Sequence, residues 1–360
     1  MRKTLFLFFS IVLSLSLSAQ RISIQGNSFI CNGEKIFLIG TNTPWDNWND
    51  FGGNFNKQFW TDEFAKLEKN GINSSRIWIS CDAAGQPFVD KEGVPHPATQ
   101  QFWENLDYVM DLAKKHKIYV VATISSFDNL DKTKPQSENW IMLLNCTQKL
   151  QQYCDTFLKP LTERYKDNPY FFAVDICNEP EWMHEHKKYG GLDWDFMQMF
   201  VGMCAAAIHS YNTQVLVTVG SASVKWNCDK IDGNKWSDSV LQDMTMNPLA
   251  YLDFWQIHYY EWTNQFGNPF HETPEHWGLD DKPCIIGETP ANNKIYGFPI
   301  SYDEIYSLPY SLGYDGVYPW TSNGAGTGDF GTLANFGEAA KNFSQQLQKT
   351  KSKNNGTKRR

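Results

Sequence analysis

Short apolar segments alternate with amphipathic segments along the chain, and this alternation restricts the folds that the sequence can adopt. Eight segments have the composition of buried strands and end in polar or aromatic residues: Ile36–Asn42, Ile72–Ile79, Ile118–Ile124, Phe171–Cys177, Val215–Val219, Phe254–Tyr259, Pro283–Glu288 and Gly316–Trp320. Helical periodicity occupies the segments that follow them, at about Lys57–Asn70, Gln101–His116, Asn139–Tyr165, Trp194–Tyr211, Ser237–Met246, Thr273–Gly278, Tyr302–Leu312 and Gly337–Lys349. Strands that are apolar on both faces belong in a parallel sheet covered by helices. The α/β pattern therefore predicts a (β/α)8 TIM barrel, with an open doubly wound sheet as the alternative.

The barrel is expected to form one domain. No linker rich in Pro, Gly or Ser divides the chain, and no G-x-G-x-x-G sequence follows a strand, which disfavours the doubly wound sheet. Alternating apolar residues flank Asn32-Gly33 within Arg21–Leu38, so a short β-hairpin with a type I′ turn should precede the barrel. We expect the barrel domain to span residues 20–350 and a basic, disordered tail to occupy residues 351–360.

The first residues resemble a secretory signal peptide. Arg2-Lys3 precedes an apolar run from Leu5 to Leu17, and the small residues Ser18-Ala19 follow it. This pattern predicts cleavage near Ala19 and a secreted or periplasmic protein. The apolar run is short for a membrane span, so no stable membrane insertion is expected after cleavage; an uncleaved segment would instead act as an anchor.

Charge and cysteine content exclude some classes of partner and scaffold. Lys+Arg 32 against Asp+Glu 40 gives a formal net charge of −8, which disfavours a nucleic-acid-binding protein. The 8 Cys include no C-x-x-C pair, and several lie within strand-like or helix-like segments. We interpret most of them as buried free thiols, and one or two disulfides stay open. Nothing in the pattern requires a partner chain, and a monomer is expected.

Polar residues at the ends of the predicted strands form the candidate active site. Active sites of such barrels lie at the carboxyl ends of the strands. Two glutamates stand there: Glu179 ends the fourth strand in Asn178-Glu179-Pro180, and Glu288 ends the seventh. Two carboxyl groups that face each other can cleave a glycosidic bond, since one protonates the leaving oxygen while the other attacks the anomeric carbon or activates water. The neighbouring strand ends supply further polar or aromatic side chains: Asn42, Arg76, His258, Tyr260 and Trp320.

These motifs carry a resemblance to a known family. The set comprises Gly40-Thr41-Asn42, Ser75-Arg76-Ile77-Trp78, Asn178-Glu179-Pro180, His258-Tyr259-Tyr260, Ile286-Gly287-Glu288 and Trp320. In this order and spacing, the chain resembles the retaining glycoside hydrolases of the large (β/α)8 clan, most closely family 5, which includes cellulases and β-mannanases. The resemblance extends over essentially the whole chain after Ala19.

The resemblance implies a role for each matching residue. Glu179 would be the general acid/base and Glu288 the nucleophile, and Arg76 and Tyr260 beside Glu288 would favour its ionised form. Asn178 would contact the sugar 2-OH, and His258 would hold a substrate hydroxyl or orient Glu179. Trp320 would form the floor under the ring being cleaved. Loop residues Trp45, Trp48 and Trp182 are candidates for neighbouring sugar platforms, with loop packing as the alternative.

The third strand departs from the family pattern. Many members carry a histidine at or just after that strand, whereas here the segment reads Val121-Ala122-Thr123-Ile124-Ser125-Ser126-Phe127-Asp128-Asn129. Asp128 or Asn129 could replace part of that polar contact.

No cofactor and no metal are expected. His271 and His276 are five residues apart with Pro274 between them, so they would not share a helix face and are not expected to bind a metal together.

The sequence therefore predicts a secreted retaining β-glycoside hydrolase that acts on a polysaccharide or oligosaccharide. Endo-cleavage of a β-1,4-linked polysaccharide such as β-mannan or β-glucan by double displacement is the favoured hypothesis. An exo-β-glycosidase or transglycosylase acting on oligosaccharides is an alternative, because the sequence does not reveal the shape of the cleft. A non-catalytic glycan-binding protein is a further alternative, although both glutamates, Arg76 and Tyr260 are present.

Overall fold

Eight parallel strands close into a barrel in the computed structural model of the chain, as the sequence predicts. The structure describes residues 21–211, 214–295, 300–326 and 330–357. The predicted signal peptide Met1–Ala19 lies outside the described residues. No helix among the described residues is long and apolar enough to cross a membrane.

Three short strands come first and form a separate antiparallel sheet: β1 (Ser23–Gln25), β2 (Ser28–Cys31) and β3 (Glu34–Lys35). The barrel strands follow in chain order: β4 (Leu38–Asn42), β5 (Ser74–Trp78), β6 (Tyr119–Thr123), β7 (Phe171–Asn178), β8 (Leu216–Ser221), β9 (Trp255–His258), β10 (Cys284–Pro290) and β11 (Gly316–Trp320). Each strand pairs with its neighbour in sequence, and β11 pairs with β4 to close the barrel. Every residue of the eight strands is buried, which explains why apolar and polar residues do not alternate regularly along them.

Helices surround the barrel: α1 (Lys57–Lys69), α2 (Gln100–His116), α3 (Ser137–Leu144), α4 (Thr147–Tyr153), α5 (Lys159–Tyr165), α6 (Trp182–Glu185), α7 (Trp194–Tyr211), α8 (Asp238–Thr245), α9 (Glu304–Leu312) and α10 (Leu333–Thr357). Side chains cap the first turns of several of these helices. Asn56 accepts a hydrogen bond from the backbone of Phe59 at α1, and Thr99 accepts one from Phe102 at α2. Such caps satisfy backbone N–H groups that lack partners within the helix.

Three predicted elements differ from the structure. The single helix expected over Asn139–Tyr165 is interrupted at residues 145 and 146, and continues through α4, a π-helical segment at Cys154–Leu158 and α5. The helix expected over Thr273–Gly278 is only a 3₁₀ turn at Pro274–Trp277, which Thr273 caps and Gly278 ends in the left-handed region. Residues 351–357, expected to belong to a disordered tail, instead continue α10 to Thr357, and residues 358–360 lie outside the described residues.

The amino-terminal sheet closes the bottom of the barrel, the end from which the strands begin. Its second hairpin turn is at Asn32-Gly33, where both residues have positive φ, as the sequence predicts. The first turn, which joins β1 to β2 at Gly26-Asn27, was not predicted, so the single expected hairpin is a three-stranded sheet. Phe29 on β2 is fully buried and packs edge-to-face on Phe172 and Phe254, with ring centroids 5.3 and 5.2 Å away.

All eight cysteines are free, and six of them are buried. This agrees with the interpretation as buried thiols and gives no support to a disulfide among them.

The barrel interior below the site is tightly packed. The hydroxyl groups of Tyr318 and Ser74 are 2.7 Å apart, and a Cβ atom at Gly40 would lie 2.5 Å from the Tyr318 ring. Glycine at position 40 thus makes room for a tyrosine inside the barrel.

Candidate active site

The carboxyl ends of the barrel strands meet at the top of the barrel and bring the predicted polar residues together. Irregular strand register occurs twice at this end, between Asp175 and Asn178 on β7 and between Ile286 and Glu288 on β10. Such irregularities redirect side chains near active sites. Glu179 directly follows β7 and Glu288 lies within β10, and each comes just after the regular pairing pattern is broken.

Arg76 on β5 is the centre of the hydrogen-bonded network. Its side chain is 1% exposed, and its guanidinium donates to four oxygens: Glu288 Oε1 at 2.6 Å, Asp175 Oδ2 at 2.8 Å, Asn178 Oδ1 at 2.8 Å and Asn42 Oδ1 at 3.1 Å. The planar guanidinium has five N–H donors and can contact four acceptors at once, whereas a lysine ammonium has only three. The network fixes the orientation of three of the predicted residues: Asn42, Asn178 and Glu288.

Asp175 was missed by the sequence prediction, although it lies in the middle of the apolar segment Phe171–Cys177. It is completely buried, and its carboxylate also accepts hydrogen bonds from Thr123 Oγ1 at 3.0 Å and from the Gly220 backbone at 2.9 Å. A second carboxylate beside Arg76 balances the buried guanidinium together with Glu288. An aspartate inside an apolar strand was the available signal, because a buried carboxylate requires partners.

Glu288 receives hydrogen bonds on both of its carboxylate oxygens. Arg76 donates to Oε1, and the hydroxyl of Tyr260 donates to Oε2 at 2.8 Å. Burial raises the pKa of the Glu288 carboxyl above its ordinary value, while His258, Arg76 and the Tyr260 hydrogen bond act in the opposite direction. A cation and a phenol in direct contact favour the ionised form that a nucleophile needs.

Glu179 is held in a different environment. It adopts a left-handed backbone conformation with φ of 47° and donates its backbone N–H to Gly220 O at 2.7 Å. Its Oε2 accepts from the indole Nε1 of Trp182 at 2.8 Å, and its Oε1 lies 2.9 Å from Nδ1 of His258. Burial raises the pKa of this carboxyl to about 7, against smaller opposing effects of Trp182 and Arg76. Glu179 can thus hold a proton near neutral pH.

His258 contacts Glu179 directly, which favours orientation of that carboxyl over binding of a substrate hydroxyl. Its side chain is buried, and burial lowers the pKa of the imidazole to about 4. The ring is therefore neutral near pH 7 and can donate Nδ1–H to Glu179. Gly220 provides the space behind it, because a Cβ atom there would lie 3.0 Å from His258 Nε2 and 2.9 Å from Arg76 Nη2.

One donor atom each of Glu179, His258 and Glu288 lie within 4.8 Å of one another. Three such groups could in principle hold a divalent cation. However, Arg76 and Tyr260 already occupy the oxygens of Glu288, and the guanidinium brings a positive charge to the position beside them. The donor arrangement thus fits a pair of carboxyl groups acting on a substrate better than a metal centre.

A cluster of tryptophans lies beside the carboxyl pair. Trp320 at the end of β11 is in edge-to-face contact with Trp45, with ring centroids 5.9 Å apart, and Trp45 contacts Trp48 at 4.7 Å. Trp78, which was not predicted as a site residue, contacts both Trp45 and Trp320, with ring centroids 5.1 and 5.7 Å away. Trp45 is 8% exposed and Trp48 is 37% exposed, so Trp48 offers the larger open surface to a ligand.

Trp182 lies in the short helix α6, which follows β7. Besides its hydrogen bond to Glu179, its ring contacts the buried Trp226 and the 41% exposed Trp262, with centroids 5.7 and 5.3 Å away. Neither Trp226 nor Trp262 was predicted as a site residue. Because β4 and β7 are three positions apart around the barrel, Trp48 and Trp182 come from well-separated loops.

The loop after β6, where the expected histidine is missing, takes part in a polar cluster. Burial raises the pKa of Asp128 to about 6, and Ser126 donates to its carboxyl at 2.9 Å. Nearby, Asp82 accepts hydrogen bonds from Lys134 and from Trp48 Nε1, the latter at 2.7 Å. Asp82 and Lys134 were not predicted; they hold Trp48 in place. Asn129 is buried, and its side-chain amide makes no hydrogen bond within the described part of the chain.

Comparison with known proteins agrees with this geometry. A family model described as cellulase (glycosyl hydrolase family 5) matches residues 31–292. A mannan endo-1,4-beta-mannosidase of Mytilus edulis is 29% identical over 330 residues, which cover 84% of this chain and 88% of the mussel protein. One of Cryptopygus antarcticus is 24% identical over 349 residues, 89% of each chain.

Solved structures of mannanases are also similar to this chain. The X-ray structure of the beta-mannanase from Mytilus edulis has a TM-score of 0.79 at 27% identity, covering 90% of this chain and 96% of that one. The beta-1,4-mannanase from Aplysia kurodai has a TM-score of 0.77 at 27% identity, covering 89% and 96%.

Proposed function

The chain belongs to glycosyl hydrolase family 5, and from this premise we propose that it is a secreted β-mannanase that cleaves internal β-1,4 linkages with retention of configuration. It is an endo-β-1,4-glycanase of the mannanase type, by similarity to the enzymes of Mytilus edulis and Cryptopygus antarcticus. The retaining mechanism, the roles of the individual residues and export directed by Met1–Ala19 are our proposals.

The spacing of the two carboxyl groups is the observation that carries the proposed mechanism. One oxygen of Glu179 and one of Glu288 lie within 4.8 Å of each other. Retaining enzymes hold their carboxyl groups about 5–5.5 Å apart, whereas inverting enzymes leave about 6.5–9.5 Å for a water molecule. The short separation supports attack by one carboxylate on the sugar itself.

Glu288 is the proposed nucleophile, because Arg76 and Tyr260 stabilise its charged form. Glu179 is the proposed general acid/base, because its pKa of about 7 and its contact with neutral His258 allow it to carry a proton. Glu288 attacks the anomeric carbon while Glu179 protonates the departing sugar oxygen. Glu179 then removes a proton from water as the water oxygen attacks the anomeric carbon, which breaks the ester bond to Glu288 and restores its carboxylate.

The remaining residues are proposed to bind the polysaccharide. Asn178 Oδ1 is engaged by Arg76, which leaves the amide nitrogen as a donor for the sugar 2-OH, and this contact strengthens in the transition state. Trp320 would lie under the ring that is cleaved. Trp48 and Trp182, which follow β4 and β7, would carry neighbouring sugars, with Trp45 supporting Trp48. Platforms on separate loops support binding along a chain of sugars rather than at its end.

Product analysis tests this proposal. The purified protein is incubated with soluble mannan, cellulose-type glucan, xylan and xyloglucan beside a Glu288→Gln control. We expect a ladder of oligosaccharides from mannan alone, none from the control, and the β-anomer as the first product in proton NMR. Single sugars alone would instead indicate an exo-glycosidase. Binding without any cleavage would indicate a glycan-binding protein, and α-anomeric products would contradict retention.

A further inference from the structure

A third glutamate, next to the two proposed catalytic ones, has no place in the mechanism described above. Glu181 follows the proposed acid/base by two residues and is completely buried. Its carboxyl accepts three hydrogen bonds: from Ser221 Oγ at 2.6 Å, from Trp236 Nε1 at 2.8 Å and from the Ala222 backbone at 3.1 Å. Within the described residues it forms no ion pair, so neutral donors alone stabilise a carboxyl in the protein interior.

These three hydrogen bonds connect two loops. Ser221 ends β8 and Ala222 follows it, whereas Trp236 lies just before α8. Glu181 therefore ties the turn after β7 to both ends of the segment spanning residues 222–236. That segment carries Trp226, whose ring packs edge-to-face on Trp182.

Trp182 is the link between Glu181 and the chemistry. It is the next residue in the chain, and its indole N–H donates to Glu179 Oε2 at 2.8 Å. Its backbone N–H also donates to Glu179 O at 3.2 Å, which closes the turn around the left-handed backbone of Glu179. A residue other than glycine keeps such a backbone conformation only when its surroundings hold it there.

We propose that Glu181 is a positioning residue, which anchors Trp182 and the loop behind it so that Glu179 points its proton at the glycosidic oxygen. This inference rests on the proposed function, because it assigns Glu181 to the acid step of that reaction. Burial raises the pKa of the Glu181 carboxyl to about 7, because the ionised carboxyl loses its contact with solvent there.

The substitution Glu181→Gln tests this role. It keeps the shape of the side chain but places an amide N–H₂ against one of the groups that donate to the carboxyl, so that a hydrogen bond is lost. Two substrates are compared by kcat/KM, which reports the steps up to formation of the glycosyl–enzyme. Mannan has a poor leaving group that needs protonation, whereas 2,4-dinitrophenyl β-mannobioside has a good one that does not. We expect kcat/KM to fall about tenfold or more on mannan and less than about threefold on the aryl glycoside.

Asp315→Asn is the matched control, because Asp315 is a buried carboxyl at the bottom of the barrel. It should lower the melting temperature and leave the ratio of the two kcat/KM values unchanged. If Glu181→Gln does not fold, Trp236→Phe removes one donor to Glu181 and should shift the ratio in the same direction by a smaller factor.

The two proposals fail in different ways. Equal losses on both substrates, or no loss on either, in a folded variant would overturn the positioning role while the wild type still cleaves mannan. A wild-type protein that leaves both substrates intact would overturn the proposed function itself, and this inference with it.

Discussion

The two ends of the barrel differ in the side chains that they bury: mainly aromatic ones at the bottom and charged ones at the top. At the bottom, Phe29 of the amino-terminal sheet seals the barrel against Phe172 and Phe254, and Arg21 at the surface donates to four backbone carbonyl groups at the edge of the barrel. At the top, Arg76 and two carboxylates are buried together. Apart from Asp315, whose buried carboxyl pairs with Lys35, the bottom is packed mainly with apolar side chains.

This difference separates stability from chemistry. Burying apolar rings stabilises a fold without requiring exact polar partners, whereas buried ions are stable only when each one is matched. Buried charges are nevertheless useful at the top of the barrel, because charged groups in a site without water act strongly on a substrate. Substitutions at the two ends should therefore have distinct consequences, and four of them test this comparison.

Glu288→Gln should have the largest effect at the top. The variant keeps a polar side chain beside Arg76 but loses the proposed nucleophile, so turnover of mannan should fall by about 10⁴-fold or more. Circular dichroism should show an unchanged fold. Substantial residual turnover, free of wild-type contamination, would contradict the nucleophile assignment.

Glu179→Ala should have the next largest effect, and it should depend on the leaving group. Loss of a general acid/base typically costs about 10²–10⁴-fold, here on mannan. The first step on 2,4-dinitrophenyl β-mannobioside should be nearly unaffected, and added azide should restore turnover by forming a β-mannosyl azide. An azide product of α-configuration, or the absence of one, would contradict the proposed role.

Phe29→Ala should act at the bottom in the opposite manner. Removing a fully buried aromatic ring should lower the free energy of unfolding by about 3–5 kcal/mol, as measured by denaturant titration. The value of kcat per folded molecule should stay within about twofold of wild type, because none of the rings it contacts reaches the site. A large loss of kcat in the folded variant would show that the two ends are coupled.

The smallest effect concerns stability against pH. The folded pKa of Glu179 is about 7, above the ordinary value of 4.5, so the folded state binds more protons between these pH values. The stability that this group contributes is complete below about pH 4.5 and is lost as pH rises through about 7. Glu179→Gln should remove up to about 3 kcal/mol of this pH dependence, and Phe29→Ala should remove none. Denaturant titrations at pH 5 and pH 8 measure the difference.

The sequence was informative wherever one physical rule acted alone. Eight apolar segments predict eight buried strands, and parallel strands present all their carboxyl ends at one edge, so Glu179 and Glu288 could be placed together without coordinates. The rule failed where local patterns were ambiguous. Helical periodicity continues through Asn145 and Cys146, yet the backbone of Cys146 is extended and separates α3 from α4.

The sequence by itself determined the barrel, the end at which the site forms and the pair of glutamates. Only the tertiary structure decided which side chains touch: that Asp175 shares Arg76 with Glu288, that His258 contacts Glu179, and that Glu181 binds a loop rather than the site. The physical reason is strand register. Side chains alternate with a period of two along a regular strand, but the pairing shifts near the ends of β7 and β10 break that period where the site begins.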